Sequence, residues 1–127
     1  MIKFFDLYKQ DKIHHKEIVN KFKKIISKTN YILGNEVQVF ENNFARYIGS
    51  KYAIGCANGT DALTIALKSL NLPKNSEVII PAMTYCSTAF SVINCGLKPI
   101  LVDIGNNMSA IDINKIQKKI TSKTKVI

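Results

Sequence analysis

The chain has a single arginine, Arg46, no Cys-x-x-Cys pair, and no apolar run approaching the roughly 20 residues that a membrane-spanning helix needs. Each shortage excludes something. The formal net charge of +9 invites a nucleic-acid partner, but such a partner is best met by arginines clustered on one face. Here the cations are otherwise lysines, spread along the chain, with modest clusters at Lys21, Lys23 and Lys24 and again from Lys115 to Lys125. A solvated, lysine-rich surface accounts for them, so no nucleic acid is expected as a partner, and no membrane. The three cysteines, Cys56, Cys86 and Cys95, form an odd set without metal-ligand spacing, which favours free structural thiols in a reducing compartment. No metal site is expected. The opening "MIKFFDLYKQDK" lacks a small-residue cleavage site and does not read as a signal peptide, so the expected location is the cytoplasm. Both common nucleotide fingerprints, G-x-x-x-x-G-K-[ST] and G-x-G-x-x-G, are missing.

What is present is a globular composition: 127 residues, 46% hydrophobic and 21% charged, enough for one domain with a real core. Ile18, Val19, Phe22, Ile25 and Ile26 form one helical face. A second helix is expected from Asn35, as cap, with Gln38 completing a capping box. Its stripe is Val37, Phe40, Phe44 and Ile48, and Gly49 ends it. From Tyr52 the period alternates. "YAIGCA" reads as a buried strand, followed by a helix with Leu63, Ala66, Leu67 and Leu70 inward. "EVIIPA" is a second strand, Thr88 to Asn94 a helix, "KPILVDI" a third strand and "GNNMSA" a loop. A helix from Asp112 to Ile120 follows, and "KTKVI" opens a fourth strand. Alternation of this kind gives an α/β fold with a largely parallel sheet and helices on its faces. Since parallel strands are buried on both faces, a chain stopping at Ile127 within one is expected to be a fragment.

Two places carry chemistry. Asn58-Gly59-Thr60-Asp61 joins the strand "YAIGCA" to its helix. Gly59 permits close backbone approach, and the amides of Thr60, Asp61 and Ala62 would be the open donors of a helix N-terminus, suited to a phosphate. Equally, Asn58 or Thr60 could be a plain cap, and the Asp61 carboxylate would repel a phosphate unless turned away. The second place is "PAMTYCST", after the strand "EVIIP". At the carboxyl edge of a parallel sheet, where ligands bind, Tyr85 could stack on a planar ligand or pack over the sheet edge. Cys86 has no histidine near it in sequence to form a catalytic pair; His14 and His15 lie in the polar lead-in. Asp103, ending "ILVDI", fits a turn or an active-edge acid equally well.

With these residues in place, the blocks "ILGNEVQVFENNFARYIGSKYAIGCANGTDALTIAL", "EVIIPAMTYCSTAFSVINCGLKPILVDI" and "IDINKIQKKITSKTKVI" resemble the DegT/DnrJ/EryC1/StrS family of pyridoxal-phosphate-dependent sugar aminotransferases. The resemblance runs in register from "FFDLYKQ" to the last residue. It implies the amino-terminal part of the aspartate-aminotransferase-like (fold type I) large domain, three-layered, with residues 1–50 as a helical lead-in and 51–127 as the start of the cofactor-binding domain. It implies pyridoxal 5'-phosphate as cofactor, a nucleotide-linked keto-sugar as substrate, an amino donor such as glutamate, and a homodimer. By the same resemblance Gly59, Thr60 and Asp61 hold the cofactor phosphate, chiefly through backbone amides, and Tyr85 stacks on the pyridine ring. The family's Schiff-base lysine belongs to a motif that no lysine here matches, so no catalytic residue is assigned and the chain alone is expected to be inactive. The alternative is a non-catalytic module that binds a phosphorylated ligand or pairs with a separate carboxyl-terminal half.

Overall fold

The computed structural model describes residues 4–105 and 110–127; the central positions of the expected loop "GNNMSA", 106–109, lie outside the described residues. The chain divides into two compact units, Met1–Gly55 and Cys56–Ile127.

The first unit is helical: α1 (Leu7–Asp11), α2 (His15–Lys28) and α3 (Asn35–Ile48). Asp6 caps α1 by accepting from the Lys9 amide at 3.2 Å. The stripe Ile18, Val19, Phe22, Ile25, Ile26 falls within α2, as its spacing requires, yet no residue of that helix is buried. In α3 only Ala45 is buried. Asn35 is not the cap of α3. That position is Gly34, which has no side chain to offer and instead accepts from the Val37 amide through its carbonyl. A Cβ at Gly34 would stand 2.9 Å from the Asn30 carbonyl oxygen, so glycine is there for room. At the other end Gly49 takes the left-handed conformation expected of it, φ 71°.

The second unit is α/β: α4 (Gly59–Ser69), β1 (Glu77–Pro81), α5 (Ser87–Asn94), β2 (Lys98–Val102), α6 (Ile113–Gln117) and β3 (Thr124–Val126). The strands pair in the order β2-β1-β3, all parallel, with Glu77 opposite Lys98 and Thr124. β1 is central, and its Val78, Ile79 and Ile80 are all buried, which is what an unbroken apolar run means in a parallel strand. Pro99 sits in β2, an edge strand among the described residues, where a missing amide is tolerated. The core is Val78, Ile80, Val92 and Leu97, with Leu67, Leu72, Ala89, Cys95 and Val126 packed against it.

Three expectations need correction. Leu63, Ala66 and Leu70 do not turn inward: α4 lies against α5, buries no residue, and of that set only Leu67 packs against the core. "YAIGCA" forms no strand: residues 52–56 are irregular, and among the described residues nothing pairs with them. Both sides of β1 are already taken, and Tyr52 and Ile54 are exposed. The last helix is also shorter than expected. The Lys119 amide bonds the Ile116 carbonyl three residues back, a tightened final turn that closes α6 after Gln117.

Candidate functional site

The turn before α4 is built by a reciprocal side-chain pair. Asn58 is extended at φ −164° and ψ 175°, so α4 begins at Gly59, one residue earlier than open amides at Thr60, Asp61 and Ala62 would require. The Asn58 Oδ1 accepts from the Asp61 amide at 2.9 Å, and its Nδ2 donates to Asp61 Oδ2 at 3.0 Å. The Ala62 amide donates to the Asn58 carbonyl at 3.0 Å. Of the three amides expected to be open, Asp61 and Ala62 are therefore satisfied, and Thr60 remains. At the start of α4, the amides that find no acceptor among the described residues are those of Gly59 and Thr60. The helix starting one residue early is the whole reason for the shift. Asn58 does cap the helix, and doing so leaves two donors open rather than none.

Gly59 has no internal need to be glycine. A Cβ built on it meets nothing within 4 Å, and its φ lies outside the left-handed range. The space over the first turn of α4 is open, and the positive end of the helix faces it. The Asp61 carboxylate, a source of repulsion if it faced an anion, is held by the Asn58 amide group instead.

Tyr85 lies in the loop between β1 and α5, just beyond the carboxyl end of β1. The Thr88 amide donates to its carbonyl at 3.0 Å, and the Thr84 and Thr88 hydroxyls stand 3.1 Å apart, which fixes the loop to the first turn of α5. Tyr85 is 78% exposed, so among the described residues it does not pack over the sheet edge.

With "YAIGCA" no strand, the sheet cannot be what brings the α4 turn to the same end as Tyr85. Two hydrogen bonds between α4 and α5 do so. Ser91, fully buried, shares its hydroxyl hydrogen between the Thr60 carbonyl at 3.1 Å and the Ser87 carbonyl at 2.8 Å. Cys95 Sγ donates to the Thr64 carbonyl at 3.6 Å. Both cross-helix bonds join residues 31 apart, so moving four residues along one helix moves four along the other. The helices run in the same direction, and their amino termini face the same way. Neither Ser91 nor Cys95 stands out in the sequence except as two small residues four apart.

Asp103 leaves the carboxyl end of β2 and meets Lys115 Nζ at 3.3 Å, while its carbonyl accepts from the Asp112 amide. At the opposite, amino edge of the sheet, Glu77 Oε2 accepts from Thr121 Oγ1 at 2.6 Å, and Oε1 lies 3.7 Å from Lys98 Nζ. The Thr121 hydrogen bond, followed by the charge of Lys98, holds the Glu77 carboxyl below its ordinary range against the cost of burial. That cluster ties three strands together and stands away from the α4 turn's edge. Cys56 and Cys86 are exposed free thiols. Among the described residues no group of histidines, cysteines and carboxylates could hold a metal, and no helix is long and apolar enough to cross a membrane.

Comparison with known proteins places this geometry. The chain is 42% identical over its whole length to the dTDP-3-amino-3,6-dideoxy-alpha-D-galactopyranose transaminase of Aneurinibacillus thermoaerophilus. Among solved structures, DesV of S. venezuelae superposes on 98% of the chain with a TM-score of 0.92 at 29% identity. NtdA of Bacillus subtilis, with bound cofactor PMP, superposes on 89% with a TM-score of 0.85 at 32% identity. The chain spans 35% of the first of these proteins, 34% of the second and 26% of the third, about a third or less of each. The fold is the one the resemblance implied, the amino-terminal part of the fold type I large domain, with its parallel sheet and flanking helices. The profile of the DegT/DnrJ/EryC1/StrS aminotransferase family matches residues 12–127, and the chain belongs to that family.

Proposed function

We propose that this chain is the amino-terminal part of a pyridoxal-phosphate-dependent aminotransferase acting on a nucleotide-linked keto-sugar, and that it supplies the phosphate end of the cofactor seat. The observation that carries the reading is the pair of open amides at Gly59 and Thr60, on a turn where a side chain's space is left vacant. An anion needs donors, a favourable dipole and close approach, and all three coincide there.

In this reading the Gly59 and Thr60 amides donate to the phosphate. Asp61 belongs to the seat through Asn58, whose cap it completes, so its carboxylate is engaged away from the anion's donors. Tyr85 offers an exposed ring at the same end for the cofactor's aromatic face. The bound cofactor supplies an electron sink for the carbon being aminated or deaminated. The amino donor is of the glutamate type, the working form a homodimer, and the compartment the cytoplasm. Residues 1–50 form the helical lead-in and 51–127 the beginning of the cofactor domain.

The test is cofactor retention in the full-length enzyme that carries this segment. Gly59→Val adds a Cβ that the chain itself leaves room for, so the fold is expected to persist while bound cofactor is lost. Tyr85→Ala is expected to weaken binding by about 1 kcal/mol through lost stacking. Cofactor bound with unchanged affinity in both variants would move the seat elsewhere. The purified 127-residue chain is expected to turn over no amino donor, and release of a keto acid from glutamate would overturn that.

A further inference from the structure

The two cross-helix bonds do more than show direction. Aligning residue n of α5 with residue n − 31 of α4 sets Phe90 level with Gly59. Helix α5 begins at Ser87, three residues before that level, so its first turn projects about 5 Å beyond the start of α4 at about 1.5 Å per residue. Tyr85, two residues earlier, stands beyond that again. A ligand on the Gly59 and Thr60 amides would thus be walled on one side by the first turn of α5. The height of that wall depends on the register of the two helices, and the bond nearest the turn is Ser91 to Thr60.

Resting on the cofactor seat proposed above, we propose that Ser91 is a positioning residue for that seat. It touches neither ligand nor reacting atoms. It bonds the carbonyl of Thr60, whose own amide is one of the two open donors, and so fixes the orientation of the donor pair against Tyr85. The Thr60 carbonyl also accepts from Thr64 Oγ1 at 2.8 Å, so removing the serine hydroxyl leaves no buried carbonyl without a partner. Ser91→Ala should therefore loosen register while sparing the fold, a separation that most buried polar residues do not allow. Cys95, one turn further along, makes the same kind of bond through sulfur, which shows that a thiol can serve across this interface.

The experiment uses the full-length enzyme with pyridoxal 5'-phosphate as probe. It compares wild type with Ser91→Ala, Ser91→Cys, Cys95→Ala and Gly59→Val. The readouts are cofactor dissociation constant, phosphorus-31 shift of the bound phosphate, and melting temperature of the cofactor-free protein. Ser91→Ala is expected to raise the dissociation constant about fivefold, the scale of one net hydrogen bond, and to move the phosphorus signal. The cofactor-free melting temperature should stay that of wild type. Ser91→Cys should recover part of both changes, and Cys95→Ala should alter affinity less than Ser91→Ala does. Wild-type affinity and phosphorus shift in Ser91→Ala, alongside cofactor loss in Gly59→Val, would overturn the role of Ser91 and leave the seat standing. A parallel fall in melting temperature without rescue by cysteine would reduce Ser91 to a packing residue and overturn it too. Wild-type affinity in Gly59→Val as well would overturn the seat, and this proposal with it.

Discussion

The two units answer the same sequence rule with opposite results. In each, apolar residues recur at helical spacing, and in each the expected helices form. In the α/β unit the apolar face of α5 meets a sheet, and Val78, Ile79, Val92 and Val102 are essentially removed from water, while α4 buries no residue. In the helical unit the stripes of α2 and α3 stay open, with Phe22 61% and Phe40 60% exposed. Between those helices lies a groove of about 690 Å³ lined by Ile25, Val39, Phe40, Phe44 and Tyr47 together with polar residues. Periodicity therefore specifies which side of a helix is made for burial, and it says nothing about whether the cover is at hand.

That difference can be broken directly. Ile79→Ala in the centre of β1 should destabilise by about 2–5 kcal/mol, the usual cost of emptying a well-packed aliphatic site. Phe22→Ala on α2 removes a larger side chain and should cost this 127-residue chain well under about 1 kcal/mol, because little area returns to water. Denaturant unfolding of the two variants measures both. A Phe22→Ala loss equal to that of Ile79→Ala would mean that the stripe of α2 is covered after all.

A smaller contrast separates the helix starts. α4 is capped by a side chain, and Asn58→Ala should cost about 1 kcal/mol while releasing the Asp61 amide. α3 starts at Gly34, where the ordinary preference would recommend serine or aspartate. There Gly34→Ser should give no gain, since its Cβ would be forced against the Asn30 carbonyl. Helicity and thermal midpoints of the two variants read the comparison. A stabilised Gly34→Ser variant would show that the Asn30 backbone yields cheaply.

Much of this architecture is legible in order along the chain. The run Val78-Ile79-Ile80 announces a buried parallel strand, and Gly49 announces the end of α3. What misled was of one kind: apolar or polar character read correctly but assigned the wrong neighbour. Tyr52 to Ala57 is apolar enough for a buried strand, yet a strand exists only by pairing, and among the described residues nothing pairs with it. Asn35 has the side chain of a cap, while the backbone of Asn30 puts Gly34 in that place. At the candidate site, Gly59 and Thr60 were readable as a helix start, but which amides stay open turned on one residue of phase. The bond from Ser91 to Thr60 spans 31 residues and leaves no periodic trace at all.

The finest contrast sets one carboxylate of each unit against the other. Glu17 in α2 pairs with Lys21 Nζ at 2.7 Å, and both side chains are mostly exposed, 64% and 69%. Glu77 in β1 has a side chain 9% exposed and a neutral donor, Thr121, as its nearest partner. Both carboxyls titrate below their ordinary value of 4.5, Glu17 through its hydrogen bond and charge pairing with Lys21, Glu77 chiefly through Thr121. A carboxyl held lower in the folded state contributes stability that is full above the unfolded value and is lost as pH falls through the folded one. Stability should therefore decline as pH drops below about 4.5, and Glu77→Gln should flatten that decline. The two contributions part with salt. The exposed Glu17–Lys21 pair is screened, whereas the hydrogen bond from Thr121 is not. In strong salt the acid-induced loss should persist in Glu17→Gln and shrink in Glu77→Gln. The reverse pattern would assign the acid sensitivity to the open helical unit instead of the sheet.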